Sequence, residues 1–195
     1  SKEGSEEKIP IPTGTWKQDS KGWWYQYSDN TYAKNEILTI NGVEYAFGAN
    51  GYVVNGWYLD NGAYYYSTTS GLKRGWVKSG ASWYYMDPST GRMATGWRTI
   101  GGSKYYFVSS GEMSVGWRSI NGTYYYFMPS GAMATDWVQS GASWYYMDST
   151  TGKMVTGFVD IGGMTYYMTA SGAMATDWFQ IGGKWYYAIS SGAVV

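Results

Sequence analysis

The chain contains no cysteine and no histidine. Without thiols it has no disulfide framework. Without either residue it can build neither a Cys/His zinc site nor a Ser-His-Asp or Cys-His catalytic set. Charge is also scarce, at 14% of 195 residues, where an ordinary soluble domain carries about 25%. Fourteen Lys and Arg balance 14 Asp and Glu, so no net field draws in nucleic acid or an anionic membrane. No apolar run approaches the roughly 18 residues that span a bilayer, and no signal peptide is legible at the start. Residues 1–14, SKEGSEEKIPIPTG, are charged, hold Pro10 and Pro12 and lack aromatics. They read as a flexible leader or linker, with residues 15–195 forming one repeat domain.

What the chain has instead is 12 Trp, 22 Tyr and 28 Gly. This composition points to short strands joined by tight turns. GWVKSGASWYYMDPSTGRMATGW, from Gly75 to Trp97, returns 61 residues later as DWVQSGASWYYMDSTTGKMVTGF, from Asp136 to Phe158. The finer period is shorter. Units open at Trp16, Ile37, Trp57, Trp76, Trp97, Trp117, Trp137, Phe158 and Trp178, at intervals of 19 to 21 residues. Such a period marks a solenoid or array.

Each unit has one grammar. A few residues after the opening aromatic comes a turn signal: Asn41-Gly42, Asn61-Gly62, Asn121-Gly122, Gly101-Gly102, Gly162-Gly163, Gly182-Gly183, Ser79-Gly80 or Ser140-Gly141. Asn-Gly and Gly-Gly suit type I′ hairpins. An aromatic run such as WYY follows, then a looser connector such as SSG or STG. One unit is thus one β-hairpin plus a loop, and since a lone hairpin is marginal in water, the units must stack. The expected fold is an all-β solenoid of about nine hairpins. The 61-residue echo suggests three hairpins per superhelical turn.

Two positions separate architecture from function. Eight residues after the opener stands a tyrosine: Tyr25, Tyr45, Tyr65, Tyr84, Tyr105, Tyr125, Tyr145, Tyr166 and Tyr186, the first reached with one extra residue. These are expected to line the interior. One residue earlier stand Trp24, Glu44, Tyr64, Trp83, Lys104, Tyr124, Trp144, Thr165 and Trp185. Strand alternation puts this position on the other face. A core would not accept Glu or Lys there, so that face is solvated and its aromatics serve something other than packing.

An opening Trp, its cross-strand aromatic and the opening Trp of the next unit can wall a pocket. A methionine four residues before that next opener, as at Met93, Met113, Met133, Met154 and Met174, can close its floor. Ring faces without an obligatory carboxylate suit a quaternary ammonium, which has positive charge and no N–H to donate. Each face contributes roughly 0.5–2 kcal/mol, so one site is weak, and several on one rod become tight through effective concentration.

The pattern GW-x(4)-G-x-WYY…SG-x-M-x-x-GW resembles the choline-binding repeat of pneumococcal-type surface proteins and cell-wall lysins, over about residues 15–195. The segment TWKQDSKGWWYQYSDNTYAKNE is also similar to the start of such modules. The resemblance implies a non-catalytic module, without cofactor or metal. It would hold choline or phosphocholine of teichoic or lipoteichoic acid and so sit non-covalently on the wall of a secreting cell. Carried onto this sequence, it groups Trp76, Trp83, Met93 and Trp97; Trp117, Tyr124, Met133 and Trp137; Trp137, Trp144, Met154 and Phe158; and Trp57, Tyr64 and Trp76 with Leu72 in the methionine's place. Trp16 with Trp24, and Trp178 with Trp185, are weaker candidates. Units opening at Ile37, Trp97 and Phe158 lack the cross-strand aromatic and are expected not to bind. In each cage the next unit's YY pair is the rival to its opening Trp.

The alternative reading is a glucan- or oligosaccharide-binding array, since aromatic platforms also stack on sugars. The Trp-x(6)-Trp pairs of Trp76, Trp137 and Trp178 favour choline. Catalysis by paired carboxylates finds only turn-associated candidates, among them Asp60, Asp87, Asp136, Asp148, Asp160 and Asp177. An adhesin or virulence role, a host-surface ligand and homodimerisation stay open. So does an effector domain, for which residues 1–14 leave no room.

Overall fold

The computed structural model describes residues 13–195. The expected leader lies outside the described residues apart from its last two, and Gly14 already begins the first strand. The described residues divide into two compact units, one running to Thr95 and including Ser110–Glu112, the other made of Gly96–Ser109 with Met113–Val195. Both are all-β, and among the described residues no helix is long and apolar enough to cross a membrane.

The first unit holds four hairpins: Gly14–Asp19 with Gly22–Tyr27, Glu36–Ile40 with Val43–Phe47, Gly56–Asp60 with Ala63–Thr68, and Gly75–Ser79 with Ser82–Met86. The third of these gains a short extra strand, Gly71–Leu72. The second unit holds five: Gly96–Ile100 with Ser103–Phe107, Gly116–Ile120 with Thr123–Phe127, Asp136–Ser140 with Ser143–Met147, Gly157–Ile161 with Met164–Met168, and Asp177–Ile181 with Lys184–Ala188. We number the hairpins one to nine. Each is its own antiparallel sheet, so the array is built by stacking hairpins, the β-solenoid class, and not by extending one sheet.

The turns follow their chemistry. Asn121 and Gly122 have φ of 50° and 78°, as a type I′ turn requires. The two Ser-Gly signals are displaced by one residue. Ser79 and Ser140 end their strands, and the loops are Gly80-Ala81 and Gly141-Ala142. Only the glycine of each has positive φ, 61° and 60°, which matches the glycine-first requirement of a type II′ turn.

One register recurs throughout. The opener pairs with the residue nine positions on, and the residue two after the opener pairs with the one seven on, as in Trp117↔Tyr126 and Ser119↔Tyr124. The first hairpin obeys it without any extra residue: Trp16↔Tyr25 and Gln18↔Trp23. Trp23 therefore occupies the cross-strand position expected for Trp24, while Trp24 takes the place held elsewhere by the recurrent tyrosine.

The innermost position is ten residues after the opener, on the same face as the recurrent tyrosine. Phe47, Ser67, Met86, Phe107, Phe127, Met147 and Met168 all lie there at 0% exposure. The recurrent tyrosines are mostly half-buried. They stand at the border of this core and pack against the preceding hairpin. Hairpins thus stack front to back: the face bearing the opener of one meets the face bearing the tyrosine and core residue of the next. Phe127, for example, lies 5.7 Å from Trp97 and 6.5 Å from Tyr106 of the hairpin before it.

The connectors stitch the stack together through the backbone. After the sixth hairpin, Met133 bridges Phe127 of its own hairpin and donates its N–H to the Lys104 carbonyl of the fifth, at 2.8 Å. Met154 does the same to Tyr124, Met174 to Trp144 and Val194 to Thr165. In the first unit Met93 donates to Tyr64 and Val53 to Trp23. The acceptor is always the cross-strand residue seven after an opener. Its main chain does the structural work, so its side chain is free to vary from Trp to Lys to Thr.

Glycine is needed where one connector crosses the next. Gly152 and Gly172 have φ of 72° and 86°, and a Cβ on either would meet the sulfur of Met133 or Met154 at 2.4 Å. Both the backbone conformation and the space exclude a side chain.

Candidate ligand clefts

In six hairpins, those opening at Trp16, Trp57, Trp97, Trp117, Trp137 and Phe158, the opening aromatic is held by two tyrosines. One is its cross-strand partner: Trp117 and Tyr126 have ring centroids 5.1 Å apart. The other is the recurrent tyrosine of the following hairpin: Trp117 and Tyr145 are 4.7 Å apart at 67° between planes. The same crossing joins Trp57 to Tyr84, Trp97 to Tyr125, Trp137 to Tyr166, Phe158 to Tyr186 and Trp16 to Tyr45, all between 4.7 and 5.0 Å. The next hairpin's tyrosine, not its opening Trp, supplies the third wall. Front-to-back stacking dictates this, because the next opener lies on the far face of its own hairpin.

The same stacking moves each methionine by one site. The connector that crosses a given cleft follows the second of the two hairpins, since it is tied to the first hairpin's cross-strand carbonyl. In the second unit one cleft of about 390 Å³ is lined by Trp117, Tyr124, Tyr145 and Met154, with Ala170 and Ser171 from the connector beyond. Another, of about 320 Å³, is lined by Trp137, Trp144, Tyr166 and Met174, with Ser190 and Ser191. A third, of about 270 Å³, is lined by Trp97, Arg98, Thr99, Lys104, Tyr125, Met133 and Thr151. Each draws on three successive repeats.

The sequence-level groupings are therefore redrawn. Met133 joins Trp97, not Trp117, and Met154 joins Trp117, not Trp137. Phe158 packs with Tyr167, Tyr186 and Phe179 in the eighth hairpin's own cluster and does not line the Trp137 cleft. In the first unit Met93 binds the Tyr64 carbonyl, so it belongs with Trp57, Tyr64 and Tyr84, where Leu72 was expected. Burial, and then the Glu112 carboxylate, push the Tyr84 phenol above its usual range. That carboxylate adds negative potential beside the Trp57 site. Trp76 and Trp83 meet edge to face at 6.4 Å.

At the first hairpin Trp16 meets Trp23 at 6.2 Å and Tyr45 at 4.8 Å. Trp24 faces away and lines a separate cleft with Asp19, Tyr32, Asn50, Gly51 and Tyr52. The signal for Trp23 was present in the Trp-x(6)-Trp spacing, which Trp16 and Trp23 keep and Trp16 and Trp24 do not. In the ninth hairpin Trp178 and Trp185 are 64% and 65% exposed.

The cross-strand rings remain in solvent. Tyr64, Trp83, Tyr124 and Trp144 are between 41% and 50% exposed, and a soluble chain carries such a row of large apolar groups where it binds something. The indole orientation is fixed as well. Nε1–H of Trp57 donates to Ser79 Oγ at 3.1 Å and that of Trp117 to Ser140 Oγ at 3.0 Å. The strand-ending serines of the Ser-Gly signals thus steer the preceding hairpin's Trp. Ser140→Ala should cost about 1 kcal/mol of stability and weaken ligand at the Trp117 cleft while leaving the Trp137 cleft unchanged, as residue-resolved NMR titration would read.

Stacked hairpins that open ring-walled clefts between successive repeats within each unit define a class, the repeat-built binding module. The choline-binding repeat profile matches residues 114–157 and 155–195, and a cell wall binding repeat matches residues 75–93 and 95–113. CbpJ from Streptococcus pneumoniae TIGR4 superposes with a TM-score of 0.80 at 35% identity, over 89% of this chain and 70% of its own. Choline binding protein F from Streptococcus pneumoniae, crystallised with a peptidoglycan analogue, gives 0.77 at 33% identity over the same shares. Glucosyltransferase-S of Streptococcus mutans serotype c is 35% identical over 96 residues, which are 47% of this chain and 6% of that relative. This chain belongs to the choline-binding repeat family.

Proposed function

We propose that the chain is a non-catalytic wall-binding module that takes the trimethylammonium group of choline between successive hairpins. The ligand would be choline or phosphocholine on teichoic or lipoteichoic acid, and binding would hold a secreted protein on the cell surface without a covalent link. The observation that carries this reading is the three-ring cleft of Trp117, Tyr124 and Tyr145 floored by Met154, which no carboxylate lines. Ring quadrupoles attract a cation that offers no N–H, and thioether sulfur contacts the methyl groups without competing for charge.

The sites proposed on the same pattern are Trp137, Trp144, Tyr166 and Met174; Trp57, Tyr64, Tyr84 and Met93; Trp76 with Trp83; and Trp16 with Trp23 and Tyr45. Gross attraction from three faces is roughly 2–6 kcal/mol before the cost of immobilisation, and a net of about 4 kcal/mol gives millimolar affinity per site. A wall polymer that presents many choline groups would be held far more tightly. The test is chromatographic. The protein should be retained on a quaternary-amine resin and released by free choline. Retention on dextran that choline does not disturb would favour the glucan-binding reading instead.

A further inference from the structure

We propose that the cleft of the fifth hairpin is a phosphate site, complementary to the cation sites around it. The cleft has the same frame as its neighbours. Trp97 lies 5.2 Å from Tyr106 and 4.9 Å from Tyr125, against 5.1 and 4.7 Å for the equivalent rings at Trp117. Met133 floors it as Met154 floors the next. What differs is the third wall, where Lys104 replaces the ring supplied by Tyr124 or Trp144.

That substitution reverses the chemistry. An ammonium where a ring face stood repels a quaternary amine and attracts an anion. Arg98 also lines this cleft, but it pairs with Tyr105 on the opposite face of the hairpin and its guanidinium turns back to the Trp97 carbonyl at 3.5 Å, so Lys104 is the cation that faces a ligand. The ion pair found among the described residues is Arg74 with Glu44, so Lys104 is not neutralised by a carboxylate. Thr99 and Thr151 complete the lining. The Thr151 hydroxyl and N–H bind Asp148, whose carboxylate is further occupied by the Thr150 N–H. The Lys104 ammonium and the Thr99 hydroxyl, beside Trp97 and over the Met133 floor, fit a phosphate ester, with charge-assisted hydrogen bonds to its oxygens and its organic part against Trp97.

The Lys104 backbone explains why this exchange costs the fold nothing. Its carbonyl accepts the Met133 N–H just as those of Trp23, Tyr64, Tyr124, Trp144 and Thr165 accept theirs, and its side chain is exposed. The inference deepens the wall-binding reading, because a choline-bearing polymer linked by phosphodiesters would offer a cation and an anion to adjacent repeats. It does not depend on that reading for its test, since the probes carry no choline.

Inorganic phosphate and glycerol phosphate, titrated at constant ionic strength and followed by the amide and indole resonances of Trp97 and Lys104, should bind in the millimolar range. Lys104→Gln should weaken that binding about tenfold or more. Lys104→Tyr should abolish it and add one choline site per chain by calorimetric stoichiometry. Chloride producing the same shifts as phosphate would overturn the proposal, as would a Lys104→Gln chain that binds phosphate like the parent. Binding to phosphatidylglycerol vesicles with none to the soluble phosphates would also overturn it. Failure of phosphate with choline binding intact refutes this site alone, and the converse refutes the choline clefts alone.

Discussion

Phe127→Ala is expected to lower the stability of the second unit by about 3–5 kcal/mol, the range for emptying a fully buried aromatic site. Phe127 is at 0% exposure, and its ring spans the contact between two hairpins, touching Trp97 and Tyr106. Relaxation can refill little of the space, because the connectors tie the neighbouring main chains together by backbone hydrogen bonds. In a stacked array each repeat contacts its neighbours, so the loss should appear in urea denaturation as a lower midpoint with the fifth and sixth hairpins opening first by hydrogen exchange. Phe127→Leu, which keeps most of the volume, should recover more than half of it. An alanine variant within about 1 kcal/mol of the parent would show that this column is not the core.

Tyr124→Lys should remove choline from the Trp117 cleft. The variant reproduces at the sixth hairpin what Lys104 does at the fifth, and it does so at a half-exposed position whose carbonyl, not its side chain, holds the stack. Losing one ring face costs about 1 kcal/mol, and a like charge about 5 Å from the ligand adds roughly 1–3 kcal/mol at the dielectric of a protein surface. Affinity at that cleft should fall by about thirty-fold to a thousand-fold, with the thermal midpoint almost unchanged. Calorimetry would register one site fewer. An undiminished stoichiometry would mean that the cross-strand ring is not a wall of the site.

Much of this was legible in the residues, for identifiable reasons. Openers such as Trp57, Trp97 and Trp137 recur because each must wedge between two tyrosines, so the period and the hairpin grammar stand out by comparing the chain with itself. The cross-strand column was readable from Glu44 and Lys104, since a solvated position announces itself by tolerating charge. The assembly of each cleft was not legible. Nothing in the local sequence says whether hairpins meet front to front or front to back, and that choice decides whether Trp137 or Tyr145 faces Trp117. The same choice decides whether Met133 or Met154 lies beneath.

The core column was missed for a related reason. Phe47, Ser67, Met86, Phe107 and Ala188 share burial and no single chemistry, while the tyrosine two residues before them recurs almost without exception. In the first hairpin Tyr25 is the opener's cross-strand partner and not the recurrent tyrosine, so counting back from it points to Trp24 instead of Trp23. The register of this hairpin follows the turn Ser20-Lys21 and puts Trp23 at the cross-strand position.

On the proposed reading, positive charge held by ring faces is what these clefts recognise. Choline and its neutral isostere 3,3-dimethylbutan-1-ol have nearly the same shape and differ in the positive charge. Titrated in parallel by calorimetry, choline should saturate in the millimolar range and the neutral alcohol should bind at least about tenfold more weakly, as expected from the cation–π contribution of two or three faces. Equal affinities for the two would mean that the clefts select an apolar shape and that cation–π attraction is not their basis.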